Sequence, residues 1–195
     1  MSLRLQTFKG REAAAIVDTA AALRIRVFRD WPYLYDGDLG YERDYLQRYV
    51  QCPQAMIALA YDGEAAVGAT TGLPLMAAAA DMQTPFIANG LDLAEYFYCG
   101  ESVVLDEARG RGLGHQFFDL REAQARQLGS RYSVFCAVDR PADHPARPPH
   151  YRPNDAFWTK RGYQRRPEWQ CQFSWKDVGD DDDTQKRLTY WLRTL

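Results

Sequence analysis

The sequence lacks an excess of either charge: 24 basic side chains stand against 26 acidic ones, a net of −2. A general nucleic-acid binder carries a basic surplus, so that class is set aside. No apolar run approaches the ~20 residues of a membrane span. The N-terminal MSLRLQTFKGRE has no apolar stretch of the signal-peptide kind. Cysteine is scarce and scattered. Cys52, Cys99, Cys136 and Cys171 form no C-x-x-C pair, so neither a zinc site nor a disulfide framework is expected, and the thiols read as buried and reduced. Histidine occurs three times, and His144 and His150 share a loop with no evident partner. What is present is ordinary globular material, 46% apolar and 26% charged over 195 residues. Folding at that size hides roughly 70% of the unfolded chain's surface without a metal or disulfide staple. One domain over 1–195, in the cytoplasm, is the expectation.

Apolar periodicity orders the chain. Residues 3–8 alternate as a short strand, and Ile16, Ala20, Leu23 and Val27 keep a helical period across 11–29. Asp36-Gly37 and Leu39-Gly40 mark a loop before a helix over 41–50. Two apolar runs, 56–61 and 65–73, flank Asp62-Gly63, a strong hairpin signal. The segment from Ala77 to Gly90 begins with a helical turn, and Pro85 limits any helix there. A strand is expected over 96–105 with a bulge or kink at Gly100, then a helix from Leu113 to Leu128 stopped by Gly129. Residues 132–138 read as a buried strand. Five prolines between Asp139 and Pro153 impose an extended loop. A short helix from Asn154 to Arg161, a strand near 163–175 and a last strand over 187–195 complete the chain. Strands alternating with helices predict a mixed sheet with helices on its faces.

The segment ESVVLDEARGRGLGHQFF carries the most chemistry. An apolar strand runs into Arg109-Gly110-Arg111-Gly112-Leu113-Gly114, and a helix begins inside the glycines. Glycines let backbone N–H groups approach a ligand, and a helix N-terminus adds free donors and partial positive charge. Such a loop suits phosphate oxygens. The spacing is not the G-x-G-x-x-G of dinucleotide folds, and the Gly-Lys-Ser/Thr of a Walker loop is missing. R-x-x-G-x-G fits, from Arg109 through Gly112 to Gly114. About 45 residues on stands Phe157-Trp158-Thr159-Lys160-Arg161-Gly162-Tyr163, which is similar to the F-Y-x-K-x-G-F run of GNAT acetyltransferases. The Asp62-Gly63 hairpin with Val67-Gly68 also resembles that family's central hairpin, so the resemblance spans about 11 to 176. The stretch WPYLYDGDLGYE is similar to a bacterial branch of the superfamily that has no assigned acceptor.

The resemblance implies an α/β (α+β) fold. Its mixed, largely antiparallel sheet would be splayed at the central strands and flanked by helices on both faces. It implies acetyl-CoA as co-substrate, no metal, and transfer of an acetyl group to a primary amine of a small molecule or protein. The pyrophosphate would lie on the amides of Arg111 to Gly114, with Arg109 and Gly110 at the mouth and His115 beside the cofactor. The pantetheine would pair with the edge of Val103, Val104 and Leu105, touched by Asn154 and packed against Trp158. Trp158 replaces the usual tyrosine and cannot serve as an acid. Tyr151, or else Tyr98, would protonate the departing sulfur, or the thiolate would leave unassisted. Glu101, at the start of the strand, would be general base, since an alkylammonium near pKa 10.4 must lose a proton before it attacks. Asp36, Asp38, Glu42 and Asp44, with Tyr33, Tyr35 and Tyr41, would wall a cationic acceptor pocket. A non-catalytic acyl-CoA-binding module, an acyl group larger than acetyl, and a homodimer stay open at this point.

Overall fold

The computed structural model describes residues 3–195. Among them, seven strands form one sheet: β1 Leu3–Lys9, β2 Met56–Asp62, β3 Ala65–Pro74, β4 Tyr96–Val104, β5 Tyr132–Val138, β6 Gln164–Trp175 and β7 Thr184–Thr194. Their order is β1-β2-β3-β4-β5-β7-β6. Every neighbouring pair is antiparallel except β4 and β5. The helices are α1 Val17–Phe28, α2 Leu39–Gln51, α3 Ala80–Ala88, α4 Leu113–Gln127 and α5 Asp155–Lys160.

The apolar stripes decide which face each helix covers. On one face α1, α2 and α3 bury Leu23, Leu46, Tyr49, Met82 and Phe86 against Ile57, Leu59, Tyr98, Val103 and Tyr190. On the other, Phe118 and Ala125 of α4 and Phe157 and Trp158 of α5 pack over Phe97, Cys99, Phe135 and Trp191. The α1 stripe carries one charged residue, Arg24, which is buried with its apolar neighbours. No helix among the described residues is long and apolar enough to cross a membrane.

Three boundaries differ from the sequence expectation for identifiable reasons. The first helix opens as a 3-10 turn over Gly10–Ile16 before turning α-helical at Val17. α2 begins at Leu39, two residues before Tyr41, because the Asp38 carboxylate accepts from Tyr41 N–H at 2.9 Å and caps the helix. Pro85 does not end α3, which continues to Ala88; the Asn89 amide caps the Pro85 carbonyl at 2.7 Å and Gly90 turns left-handed.

Two irregularities at the centre of the sheet open its two faces. The parallel pairing of β4 with β5 covers only Tyr96–Tyr132, Phe97–Ser133 and Tyr98–Val134, and then stops. Just there, β4 holds Gly100 and Glu101 opposite a single β3 residue, as the register shifts between Thr70–Ser102 and Gly72–Cys99. One extra residue inverts the alternation of side chains. Phe97 and Cys99 face α4, yet Glu101 and Val103 face α1 and α2. The Glu101 carbonyl freed by the bulge accepts from Thr70 Oγ1 at 2.7 Å and Arg121 Nη1 at 2.9 Å. Only glycine fits at position 100, where a Cβ would collide with the Tyr49 and Thr71 hydroxyls. Gly100→Ala should therefore cost ~1–3 kcal/mol of overpacking, read as a lower urea midpoint with an unchanged slope. A midpoint equal to wild type would show that the bulge tolerates a side chain.

Candidate active site

The bulge turns Glu101 into a cleft of about 620 Å³, open at its mouth, between α1, α2 and the strands β4, β5 and β6. Glu101 is therefore not a solvated residue at a strand end: its side chain is 4% exposed and lies inside β4. Arg24 from α1 meets it, Nη1 to Oε2 at 2.5 Å, and Tyr45 of α2 donates to the same oxygen at 3.2 Å. Arg24 Nε also donates to Oε2 of Glu42, from α2, whose side chain is fully buried. The guanidinium further lies over the Tyr45 ring, 4.2 Å from its centre. Burial opposes the charge on Arg24, but Glu101, Tyr45 and Glu42 outweigh it and hold its pKa well above the ordinary value. The Tyr45 hydroxyl is pushed up by burial and by Glu101, so it remains a donor.

One cation thus faces two carboxylates. Oε1 of Glu42 and Oε1 of Glu101 are buried without a hydrogen-bond partner, and both residues line the cleft. Unpaired buried carboxylate oxygens are costly, and a cation arriving in the cleft would relieve them. The remaining walls are mostly aromatic or apolar and include Phe28, Tyr33, Tyr35, Tyr41, Tyr98, Phe173 and Trp175.

Of the four acids expected in the pocket, only Glu42 lines it. Asp36 is paired with Arg29 and Lys176, each at 3.0 Å. Asp38 serves as the α2 cap, and Asp44 is exposed on that helix. The three tyrosines do line the cleft, Tyr41 from α2 and the other two because the segment that carries them is strapped to the β6–β7 turn. Asp36 N–H donates to Lys176 O at 2.8 Å, Val178 N–H to Leu34 O at 2.6 Å, and Trp175 Nε1 to Tyr33 O at 3.0 Å. Beneath this strap Arg140 grips both Asp177 oxygens at 2.7 and 2.8 Å and donates to the carbonyls of Pro32 and Tyr33, while Lys186 approaches Asp177 at 3.2 Å.

The glycine loop lies beyond the other end of the bulged strand. Gly110 and Gly112 both take left-handed backbone conformations (φ +74° and +83°), and no side chain caps the α4 N-terminus. A Cβ on Gly114 would press on the Phe157 ring at 3.3 Å, and the His115 ring meets Phe157 with centres 4.9 Å apart. The first turn of α4 therefore packs directly against α5. Arg111 pairs with Asp62 at 2.5 Å, and Arg109 with Asp106 at 2.9 Å and the Val104 carbonyl at 3.3 Å.

Several expected positions change. In an antiparallel ladder successive amides point to opposite sides. Leu105 N–H donates to Val67 O at 2.9 Å, and Val103 pairs with Ala69. Val103 and Leu105 thus turn their amides to β3 with buried side chains, and Val104 alone of the three faces the gap beside β5. Asn154 makes no cap hydrogen bond through its side chain and is exposed. Trp158 packs on Phe135 and Trp191, with ring centres 4.9 and 5.1 Å away, as part of the α5 contact with the sheet. Tyr151 lies against Trp31 and Arg147 in the proline-rich loop, and its side chain is not part of the cleft lining. Tyr98, the last β4 residue paired with β5, is the hydroxyl of the two that lines it. His144 finds a partner in Trp31, at 5.1 Å between ring centres. Arg24 and Tyr45 escaped the sequence reading; the available signal was an arginine set in the apolar stripe of α1.

No family model and no curated protein matches the chain in sequence. Solved structures do match over its whole length. A ribosomal-protein-alanine N-acetyltransferase from Brucella melitensis superposes with TM-score 0.62 at 14% identity, covering 100% of both chains. A protein from Desulfovibrio desulfuricans assigned to the GNAT acetyltransferases gives 0.60 at 10%, covering 99% of both. The protein yncA of Salmonella typhimurium, solved with its cofactor acetyl-CoA, gives 0.58 at 11%, covering 99% of this chain and 94% of that one. The chain has the GNAT acetyltransferase fold, with the mixed, largely antiparallel sheet, parted central strands and flanking helices expected of it.

Burial would raise the Asp177 carboxyl, but Arg140 and Lys186 hold it below the usual value. A depressed carboxylate contributes stability that is present above the unfolded pKa near 3.9 and is lost as pH falls through its folded value. Asp177→Asn should cost ~3 kcal/mol at pH 7, because two buried cations lose their partner. The gap to wild type should narrow below about pH 4. Urea titrations at pH 7 and pH 3.5 check both; an equal gap at the two values would contradict the pairing.

Proposed function

We propose that the protein is an acyl-CoA-dependent N-acyltransferase acting on a primary amine. The observation that carries this reading is the placement of Glu101. A buried carboxylate with one oxygen free lines a cleft beside the parted strands, in the same strand that runs on to an uncapped, glycine-bearing helix N-terminus. The residues present fit acyl-coenzyme A. Amides at Gly112 to Gly114 would take the pyrophosphate, Arg109 would stand at the mouth, and Val104 N–H would face the thioester carbonyl. Bound there, the cofactor supplies an acyl group already activated toward nitrogen.

The chain's own residues divide the remaining work. Arg24 and Tyr45 fix Oε2 of Glu101, leaving Oε1 to accept a proton from the incoming ammonium. The Tyr98 hydroxyl is pushed up by burial and by Cys136, whose sulfur lies 3.3 Å away, so it keeps its proton and can donate toward a departing thiolate. That role passes to Tyr98 because Trp158 has no acidic proton and Tyr151 stands outside the cleft. A binding module with no catalytic role would share the glycine loop but has no use for a buried carboxylate with a free oxygen.

Two variants separate the parts. Gly112→Glu should abolish acetyl-CoA binding in calorimetry, since both the left-handed backbone and the anion site are lost. Glu101→Gln should keep acetyl-CoA affinity and lower kcat by about 100-fold in a thiol-release assay over an amine panel. Undiminished turnover in Glu101→Gln would remove the base assignment. Unchanged cofactor affinity in Gly112→Glu would remove the assigned loop.

A further inference from the structure

We infer that the acceptor is a small arylalkylamine: a single ammonium joined to an aromatic body, with no carboxylate of its own. This rests on the acyltransferase reading and names the substrate class of the same cleft. Three independent features lead there.

The first is charge. Arg24 is the one cation among the residues lining the cleft, and Glu42 and Glu101 are the two anions. Their sum is −1, and the surplus is carried by Oε1 atoms that are buried and lack partners. The Tyr35 hydroxyl lies beside Glu42 and is pushed up by burial and by that carboxylate, so it keeps its proton. A single ammonium satisfies both oxygens and neutralises the cleft. A second cationic centre would find no further anion among the lining residues, and a carboxylate on the acceptor would face two like charges.

The second is the character of the walls. Beyond the three charged residues, the lining includes Phe28, Tyr33, Tyr41, Phe173 and Trp175. Aromatic faces favour offset or edge-on contact with a ring, and they attract a cation that is shed of water. A flexible aliphatic amine would fill the same space with fewer such contacts.

The third is enclosure. The segment bearing Tyr33 and Tyr35 is hydrogen-bonded along its backbone to the β6–β7 turn, with a bridge between Tyr35 and Asp177. The two walls are thereby tied together. A small molecule fits between walls tied in this way, whereas an extended chain running along the cleft would have to cross the strap.

Calorimetry with 2-phenylethylamine, butylamine, phenylalanine and a decapeptide with a free N-terminus tests the inference on the full-length protein. The phenylethylamine should bind about tenfold more tightly than butylamine, and phenylalanine and the peptide should bind at least ~30-fold more weakly. Glu101→Gln leaves Arg24 paired one-to-one with Glu42, so it should fold, and it should weaken phenylethylamine binding by ~30-fold. Equal or tighter binding of butylamine, phenylalanine or the peptide by the wild type would overturn the inference whether or not the variant folds. So would a folded Glu101→Gln with unchanged affinity. Thiol release from acetyl-CoA with the same amines keeps the two readings apart. Binding of phenylethylamine without turnover of any amine would uphold the ligand class and remove the transferase reading. Turnover of the peptide without phenylethylamine binding would do the reverse.

Discussion

The structure depends on where the parallel pairing between β4 and β5 stops. Beyond Tyr98 and Val134 the two strands no longer share hydrogen bonds, and the backbone groups of β4 on that side need other partners. At the same point β4 carries a bulge against β3. Gly100 and Glu101 together oppose one β3 residue, and the freed Glu101 carbonyl is taken by Thr70 and by Arg121 from α4. The same extra residue carries the Glu101 side chain from the α4 face to the α1–α2 face. The parting of the strands and the cleft that holds Glu101 therefore meet at one irregularity in β4.

Placing a carboxylate in that interior demands compensation, and Arg24 supplies it from α1. Its guanidinium is shared between Glu101 and Glu42 and rests on Tyr45, so three elements converge on one charge. Burying an ion pair is seldom a net gain over a well-packed apolar core. A surplus carboxylate is harder still to explain as a stabilising device, and it fits a site that awaits a cation. Asp177 performs the parallel task at the rim, where Arg140 and Lys186 lock the strap that carries Tyr33 and Tyr35. There the cations outnumber the acid, and the group serves to hold a wall.

Much of this was legible in the residues. Alternation and helical period located most strands and helices, Asp62-Gly63 located the hairpin, and the resemblance of the glycine loop and the FWTKRGY run led to the fold. The bulge at Gly100 was readable because glycine inside an apolar strand has few other uses. Side-chain direction was harder. Glu101 looked like a strand-end acid because one-dimensional alternation cannot show that a bulge has inverted it. The acids from Asp36 to Asp44 looked equivalent until ion pairing removed Asp36, capping removed Asp38 and exposure on α2 removed Asp44, leaving Glu42. Arg24 was hidden by its own apolar stripe, and the alternating amides of Val103, Val104 and Leu105 required the register with β3. These are contacts between distant segments, on which local pattern is silent.

Amide hydrogen exchange on the protein with and without acetyl-CoA tests the role of the parted strands most directly. The amides of Val103 and Leu105, directed to β3, should exchange slowly in both states. Val104 and the α4 start at Gly112, Leu113 and Gly114 should exchange rapidly alone and slow markedly when acetyl-CoA is added. Protection confined to other segments, with Val104 and the glycine loop unchanged, would contradict the assignment of the gap between β4 and β5 as the place where the cofactor lies.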